Sequence, residues 1–322
     1  MKKIGGFFEL EINSGQNNFH EHAVKLTTGR SCLNHILEIE KYNLVYVPYY
    51  CCDALLEPLQ IKNIEYQFYS INKELEIESL PALKENEAII YCDFFGVKPK
   101  YVDLLIKKFQ DQLIVDNTHK FFHKGYDGKA YSFTSARKYF GVPDGAFLYV
   151  KEGVSSKKPE NRNKRISLDH SSLNLMERQD EAYVKFQEYE KTLGSEVEQI
   201  SLVSEMLLSH VDYTDVRSVR NENFEFFRES FKKINELKID EDATDCFCYP
   251  LLLKNSINRS MLFKENIFVP NYWMDTVKRE GSEKYEWECE LSKEVLPLPV
   301  DHRYKREDLG RVVKTILNLY ND

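Results

Sequence analysis

The stretch AIIYCDFFGVKPKYVDLLIKKFQDQLIVDN (88–117) switches its hydrophobic period twice. AIIYCDFF (88–95) and QLIVDN (112–117) are short apolar runs rich in β-branched and aromatic residues, and they read as strands. Between them, KYVDLLIKKFQ (100–110) brings Val102, Leu105 and Phe109 to near-helical spacing. Strand, helix and strand in that order predict a largely parallel sheet covered on both faces.

The same alternation extends in both directions. LVYVP (44–48), IEYQFYS (64–70) and AFLYV (146–150) read as further strands, and CDALLEPLQ (52–60) as a helix. GRSCLNHILEIEKY (29–42) reads as a helix with Leu33, Ile36 and Leu37 on one face and Gly29 and Ser31 at its start. Past residue 150 the composition changes. VSSKKPENRNKR (154–165) reads as an irregular basic loop, and residues 174–236 are charged and helical, as in RNENFEFFRESFKKINEL (220–237). After DEDATD (240–245) a second α+β block follows, with CFCYPLLL, a strand candidate in ENIFVPNYW (265–273), and a last helix near 305–320. In that helix Leu309, Val312, Val313, Ile316 and Leu317 repeat as one buried face. The expected architecture is α/β: a large domain over 1–215, opened by a segment 1–20, and a smaller C-terminal α+β domain over 216–322.

A chain of 322 residues with 42% hydrophobic and 13% aromatic content can bury a sizeable core. A net charge of −8 argues against nucleic acid as partner. The N-terminal MKKIGGFFELEINSG breaks its apolar run at Glu9 and Glu11, too early for a signal peptide. No run approaches the roughly 18 apolar residues that span a bilayer. Seven cysteines, an odd number without CxxC knuckles, read as reduced thiols rather than a disulfide framework or a zinc site. These features together predict a cytoplasmic protein with no membrane segment.

Three segments carry chemistry. Asp116 ends an apolar run and is followed by Asn117, Thr118 and His119. A carboxylate there is expensive unless paired; it reads either as a helix cap or as a ligand group at the carboxyl end of a parallel strand. Gly29, Arg30 and Ser31 open a helix, whose free N–H groups suit an anion. No GxGxxG or GxxxxGK[ST] occurs, which removes the main support for dinucleotide and P-loop readings. Lys138, in YSFTSARKYFGVPDGA (131–146), lies between aromatic runs, so a plain solvated face is not expected. It stands in SxxK spacing to Ser135, but SDN and KTG partners for a serine nucleophile are absent. The remaining readings are a surface lysine and an amine that forms a Schiff base with a carbonyl cofactor.

With these residues in order, the chain resembles the sugar aminotransferases of the DegT/DnrJ/EryC1/StrS type, within the fold-type I pyridoxal-phosphate enzymes. The resemblance runs through GGFFELE, TGRSCLNHIL, VPYYCCDALLEPL, IEYQFYSIN, YCDFFGV, LIVDNTHKFF, SARKYFGVPDGAFLYV, RNENF and LPLPVDHRYKREDLGRVVKTI. It implies a mostly parallel seven-stranded sheet, pyridoxal 5′-phosphate as cofactor, and transfer of an amino group from an amino acid such as glutamate to a keto sugar nucleotide. Lys138 would be the Schiff-base lysine, Asp116 the partner of the pyridine nitrogen, and His119 the group near the ring and its phenolic oxygen. Gly29, Arg30 and Ser31 would hold the phosphate, with Ser135 or Ser132 as hydroxyl donor. Cys52 replaces the aromatic residue that stacks on the ring in the family, leaving Tyr50 or another group for that role. SEVEQIS (195–201) lacks the asparagine that often reaches the phosphate of a neighbouring subunit, although a homodimer is implied. Lys157, Lys158, Arg162, Lys164 and Arg165 read as a solvated loop or a diphosphate contact. Tyr272 and Trp273 read as a substrate mouth or as packing. The alternatives to a transaminase are a sugar dehydratase, which usually has histidine in place of the lysine, and a regulatory binding protein that kept the fold.

Overall fold

The computed structural model describes residues 15–156 and 158–321. GGFFELE and Lys157 of the basic loop lie outside them. A seven-stranded sheet has the order β1-β7-β6-β5-β4-β2-β3. Its strands are β1 (Val24–Leu26), β2 (Leu44–Pro48), β3 (Glu65–Tyr69), β4 (Glu87–Cys92), β5 (Leu113–Asp116), β6 (Tyr131–Ser135) and β7 (Ala146–Tyr149). Only β7 opposes its neighbours; the pairings β3–β2, β2–β4, β4–β5 and β5–β6 are all parallel. Every residue of β4 is buried, which explains the unbroken apolar run of a strand covered on both faces.

The five strands expected from the sequence form within a residue or so of their predicted limits, except at 88–95. That strand stops at Cys92, because Phe95 (φ 60°) and Gly96 (φ 80°) turn the chain sharply. Two strands carry weaker signals. β1 has only three residues, and β6 alternates aromatic side chains with Ser132 and Thr134, hydroxyls that read as loop although all five residues are buried.

Helices α1 (Gly29–Ile39), α2 (Glu57–Ile61) and α3 (Pro99–Phe109) accompany the sheet. In α3, Tyr101, Val102, Leu105, Ile106 and Phe109 are buried while Lys107 and Lys108 face out. Pro99 at its first turn has no N–H to waste there. Next come α4 (Asp169–Leu175), α5 (Gln179–Glu190), α6 (Leu202–Leu208) and α7 (Tyr213–Phe231). The expected domain boundary at 215/216 falls in the first turn of α7.

The remaining helices are α8 (Arg259–Lys264), α9 (Asp275–Lys278), α10 (Glu286–Glu294) and α11 (Arg306–Asn321). A two-stranded antiparallel sheet pairs β8 (Cys248–Leu251) with β9 (Leu296–Pro299). ENIFVPNYW is therefore not the strand expected there. Pro270 has no N–H to give a ladder, and Asn266 and Trp273 have positive φ. The carbonyls of Val269 and Pro270 accept from the Arg259 guanidinium instead. One continuous core joins the two sheets, with Phe224, Phe227 and Phe231 of α7 packed on Tyr249.

Candidate active site

β5 delivers Asp116 to the carboxyl end of the sheet, beside Cys92 of β4 and Phe133 of β6. No helix begins there. Asp116 Oδ1 accepts the Thr118 N–H at 2.8 Å, so the residue closes an Asx turn rather than capping a helix. Burial pushes its carboxyl pKa up, opposed by the Thr118 hydrogen bonds and the Lys138 charge. The turn then places His119 beneath the cavity. Its Nδ1 accepts the Phe95 N–H at 3.2 Å, and its ring stacks on Phe247 and Trp273 with centroids 4.5 and 5.3 Å away. Burial, reinforced by Lys138, holds its pKa well below the usual imidazole range.

Lys138 closes a 3₁₀ turn (Ala136–Lys138) directly after β6. Contrary to the expectation raised by its aromatic neighbours, it is exposed. Those neighbours fold away from it. Tyr139 is buried, its hydroxyl donating to the His119 and Asp245 carbonyls, while Lys138 Nζ projects to 5.8 Å from the Phe247 and Tyr272 rings. Pleat parity separates the two candidate serines. Phe133 and Ser135 line the cavity, while Ser132 lies on the other face with a buried hydroxyl that has no partner among the described residues.

The start of α1 forms the third wall. Thr28 is its N-cap and accepts the Ser31 N–H at 3.1 Å, and the Ser31 hydroxyl is bonded to that of Thr27 at 2.6 Å. The N–H groups of Gly29 and Arg30 remain among those a first helical turn cannot satisfy internally. A Cβ on Gly29 would stand 3.2 Å from Thr118 Cγ2 and 3.4 Å from Phe133, so glycine lets the helix approach the Asp116 turn. The Arg30 guanidinium is paired with Glu57 at 2.6 Å, which leaves its backbone as the part available to an anion.

These walls enclose a cavity of about 310 Å³. Gly29, Arg30, Cys52, Asp116, His119, Ser135 and Lys138 all line it, from segments spread over more than a hundred residues of chain. Ser31 and Tyr50 do not. Ser31 is sequestered in the cap, and Tyr50 is fully buried against Phe94 and edge-on to Trp273 at 4.6 Å. Sequence reasoning missed Cys92, Asp93, Thr118 and the Arg137–Glu190 ion pair, which also line the cavity. Thr118 was legible in hindsight as the second residue of an Asp-x-Thr turn; Glu190 carries no local signal. Of the pair left open, Trp273 lines the cavity and Tyr272 flanks Lys138.

SEVEQIS lies behind α1 instead: the Ser195 carbonyl accepts from Asn34 Nδ2 at 2.7 Å, and none of its residues lines the cavity. In the basic loop, Arg162 pairs with Glu205 and Arg165 with Glu198, while Lys158 and Lys164 are exposed. All seven cysteines carry free thiols.

No family model and no curated protein matches the chain. Solved structures do. A DegT DnrJ EryC1 StrS aminotransferase from Brucella abortus is 14% identical and aligns over 94% of this chain and 87% of its own, with a TM-score of 0.62. The chain has the fold of these aminotransferases. S. venezuelae DesV, solved with a ketimine intermediate, is 14% identical over 94% of this chain and 85% of its own, TM-score 0.62. DesI, solved in the presence of its TDP-sugar product, is 13% identical over 93% and 81%, TM-score 0.62. The seven-stranded, mostly parallel sheet that the resemblance implied matches the fold of these neighbours. Among the described residues no helix is long and apolar enough to cross a membrane.

Proposed function

We propose that the cavity binds pyridoxal 5′-phosphate and that the protein is an aminotransferase of the DegT/DnrJ/EryC1/StrS family. It would move an amino group from an amino acid, glutamate by expectation, to a keto sugar carried on a nucleotide. The carrying observation is the convergence of Asp116, Lys138 and the first turn of α1 on one cavity at the carboxyl ends of parallel strands. The solved relatives hold a ketimine intermediate and a TDP-sugar product, which is the chemistry proposed here.

The residues present fit the cofactor. Gly29 and Arg30 would offer backbone N–H groups to the phosphate, with the Ser135 hydroxyl beside them. Asp116, a carboxylate made costly by burial, gains by holding a proton on the pyridine nitrogen. Bound there, the cofactor supplies a carbonyl for amine chemistry and a ring that accepts an electron pair. Lys138 Nζ would be the amine that holds the carbonyl carbon and, once an incoming amine has displaced it, would be free to move a proton at the substrate carbon. Cys52 occupies the wall where the family has a stacking ring, and Trp273, stacked on His119, is the aromatic side chain that lines the cavity nearby.

A domain division near 215/216, a cytoplasmic location and a homodimer complete the proposal. Leu175, Met176, Tyr183 and Val184 of the α4–α5 hairpin stand exposed, a surface that a second copy would cover.

The purified protein should develop a visible band with pyridoxal phosphate, and Lys138→Ala should abolish it. Glutamate should then convert the band to that of the pyridoxamine form. Absence of a band in the wild type overturns the cofactor assignment. A band that no amino donor converts favours the regulatory alternative.

A further inference from the structure

The turn that ends β4 is strained, and its strain is directed at one side chain. Phe95 has φ 60° and ψ −1°, a left-handed conformation that costs an aromatic residue about 1 kcal/mol. Gly96 follows with φ 80°, where a Cβ would meet the His119 carbonyl oxygen at 2.6 Å. Such geometry persists only where surrounding contacts over-determine it, and here they do. The Phe95 carbonyl accepts the Phe247 N–H at 3.0 Å. The Gly96 carbonyl accepts Cys246 Sγ at 3.3 Å and Lys120 Nζ at 3.4 Å. What the strain achieves is the aim of the Phe95 N–H, which points at His119 Nδ1.

An imidazole nitrogen that accepts from a backbone N–H carries no proton of its own, so a neutral ring must hold its proton on Nε2. Nε2 has no hydrogen-bond partner among the described residues, and His119 lines the cavity. The groups around the ring favour neutrality. Phe247 and Trp273 sandwich it, and Lys138 adds a like charge that opposes protonation. Other titratable groups nearby are Asp116, Asp93 and Cys52 on the cavity wall, Tyr272 at 6.0 Å between centroids, and Tyr139, whose hydroxyl donates to the His119 carbonyl. Asp93 faces Lys120 at 3.6 Å and Asp116 faces Lys138, so neither carboxylate is left to His119.

We propose that the turn Asp93–Val97 is a positioning device, in which the Phe95 amide fixes His119 as a neutral Nε2–H tautomer that donates into the cavity. The acceptor is the one the resemblance already implies, the phenolic oxygen of the cofactor, and it rests on the function proposed above; the device that fixes the donor does not. A neutral donor stabilises such an oxygen without placing a second fixed cation beside Lys138. Phe95 and Gly96 are then positioning residues that act through His119.

The tautomer is read in the cofactor-free protein by long-range ¹H–¹⁵N correlation of the imidazoles, with His119→Gln assigning the signal. The expected result is an unprotonated Nδ1 and a protonated Nε2 that persist unchanged from about pH 5.5 to about pH 8.5. Phe95→Gly keeps the amide and the left-handed turn and should retain this signature; Gly96→Ala should lose it. An Nδ1–H tautomer, a protonation midpoint inside that range, or an unchanged signature in a folded Gly96→Ala protein overturns the device. If Gly96→Ala does not fold, the wild-type and Phe95→Gly spectra still decide. The acceptor is tested with pyridoxal phosphate and its 3-O-methyl ether. The His119 Nε2–H signal should move with the first only, and the ether should bind about tenfold more weakly. Equal shifts with both compounds overturn the phenolic acceptor. Failure of pyridoxal phosphate to bind at all overturns the cofactor reading and its phenolic acceptor, while the tautomer spectrum judges the device separately.

Discussion

Replacing Asp144 by alanine would remove the acceptor for four donors at once. This fully buried carboxylate lies in the loop that follows Lys138. Its Oδ1 accepts the Ser201 and Ser204 hydroxyls at 2.6 and 2.5 Å, and its Oδ2 accepts the Ser201 N–H and Asn163 Nδ2 at 2.8 and 2.9 Å. The two hydroxyls already lie 3.1 Å apart and can turn to each other, so their loss is largely recovered. The Ser201 amide and the Asn163 amide are held by the backbone and by packing and stay unpaired. At about 1–2 kcal/mol for each buried orphan, the expected destabilisation is about 3 kcal/mol. Asp144→Asn keeps one carbonyl oxygen but turns an amide against donors, so about 2 kcal/mol is expected. The readout is equilibrium unfolding in urea followed by circular dichroism, where the alanine variant should lose about 1 M in midpoint. The consequence should reach the site. The neighbouring Gly145 donates to the Thr27 carbonyl at 2.7 Å and accepts from Ala136, tying the lysine turn to the start of α1. Pyridoxal phosphate should therefore bind the alanine variant more weakly than wild type. A variant within about 1 kcal/mol of wild type, with unchanged cofactor binding, would refute the idea that this carboxylate organises the two turns.

His20 predicts a pH dependence. Burial, aided by the Lys124 charge, lowers its pKa from 6.5 to about 3. The unfolded chain then takes up a proton that the folded one refuses, so stability is lost as pH falls from about 6.5 towards about 3, by about 2 kcal/mol at pH 5 relative to neutrality. His20→Gln should flatten that acid limb, and an unchanged slope would refute the assignment. Cys52 and Cys289 are the partly exposed thiols, the other five being buried, so iodoacetamide should label these two first. Pyridoxal phosphate at ten times its Kd should slow labelling of Cys52 about tenfold and leave Cys289 unaffected. Equal protection of both would place the ligand elsewhere.

Periodicity alone located five strands of the main sheet and the helices at 29–42, 100–110 and 305–320, because each buries one face or both. β6 escaped because its hydroxyl-bearing face is polar yet enclosed, a burial decided by what covers the sheet. The false strand in ENIFVPNYW shows the converse: an apolar run forms no ladder when Pro270 lacks the donor and Arg259 has taken the carbonyls. Asp116, Lys138 and Gly29 were identifiable by residue type and neighbours. The helix-cap reading of Asp116 fell away only once the chain was seen to make an Asx turn and no helix after it.

What the sequence by itself determined is the order of elements and the residue types at strand ends, since these follow from local propensity and burial period. The tertiary structure decided which side chains share a cavity. Arg30 is spent on Glu57 and Tyr50 on Trp273, and no local pattern records such long-range pairings. It also decided that Lys138 is open rather than buried, because its aromatic neighbours pack into the core and leave the amine projecting into the cavity. Direction in space depends on turns such as Phe95–Gly96, whose left-handed geometry glycine at 96 permits and contacts with Lys120, Cys246 and Phe247 fix.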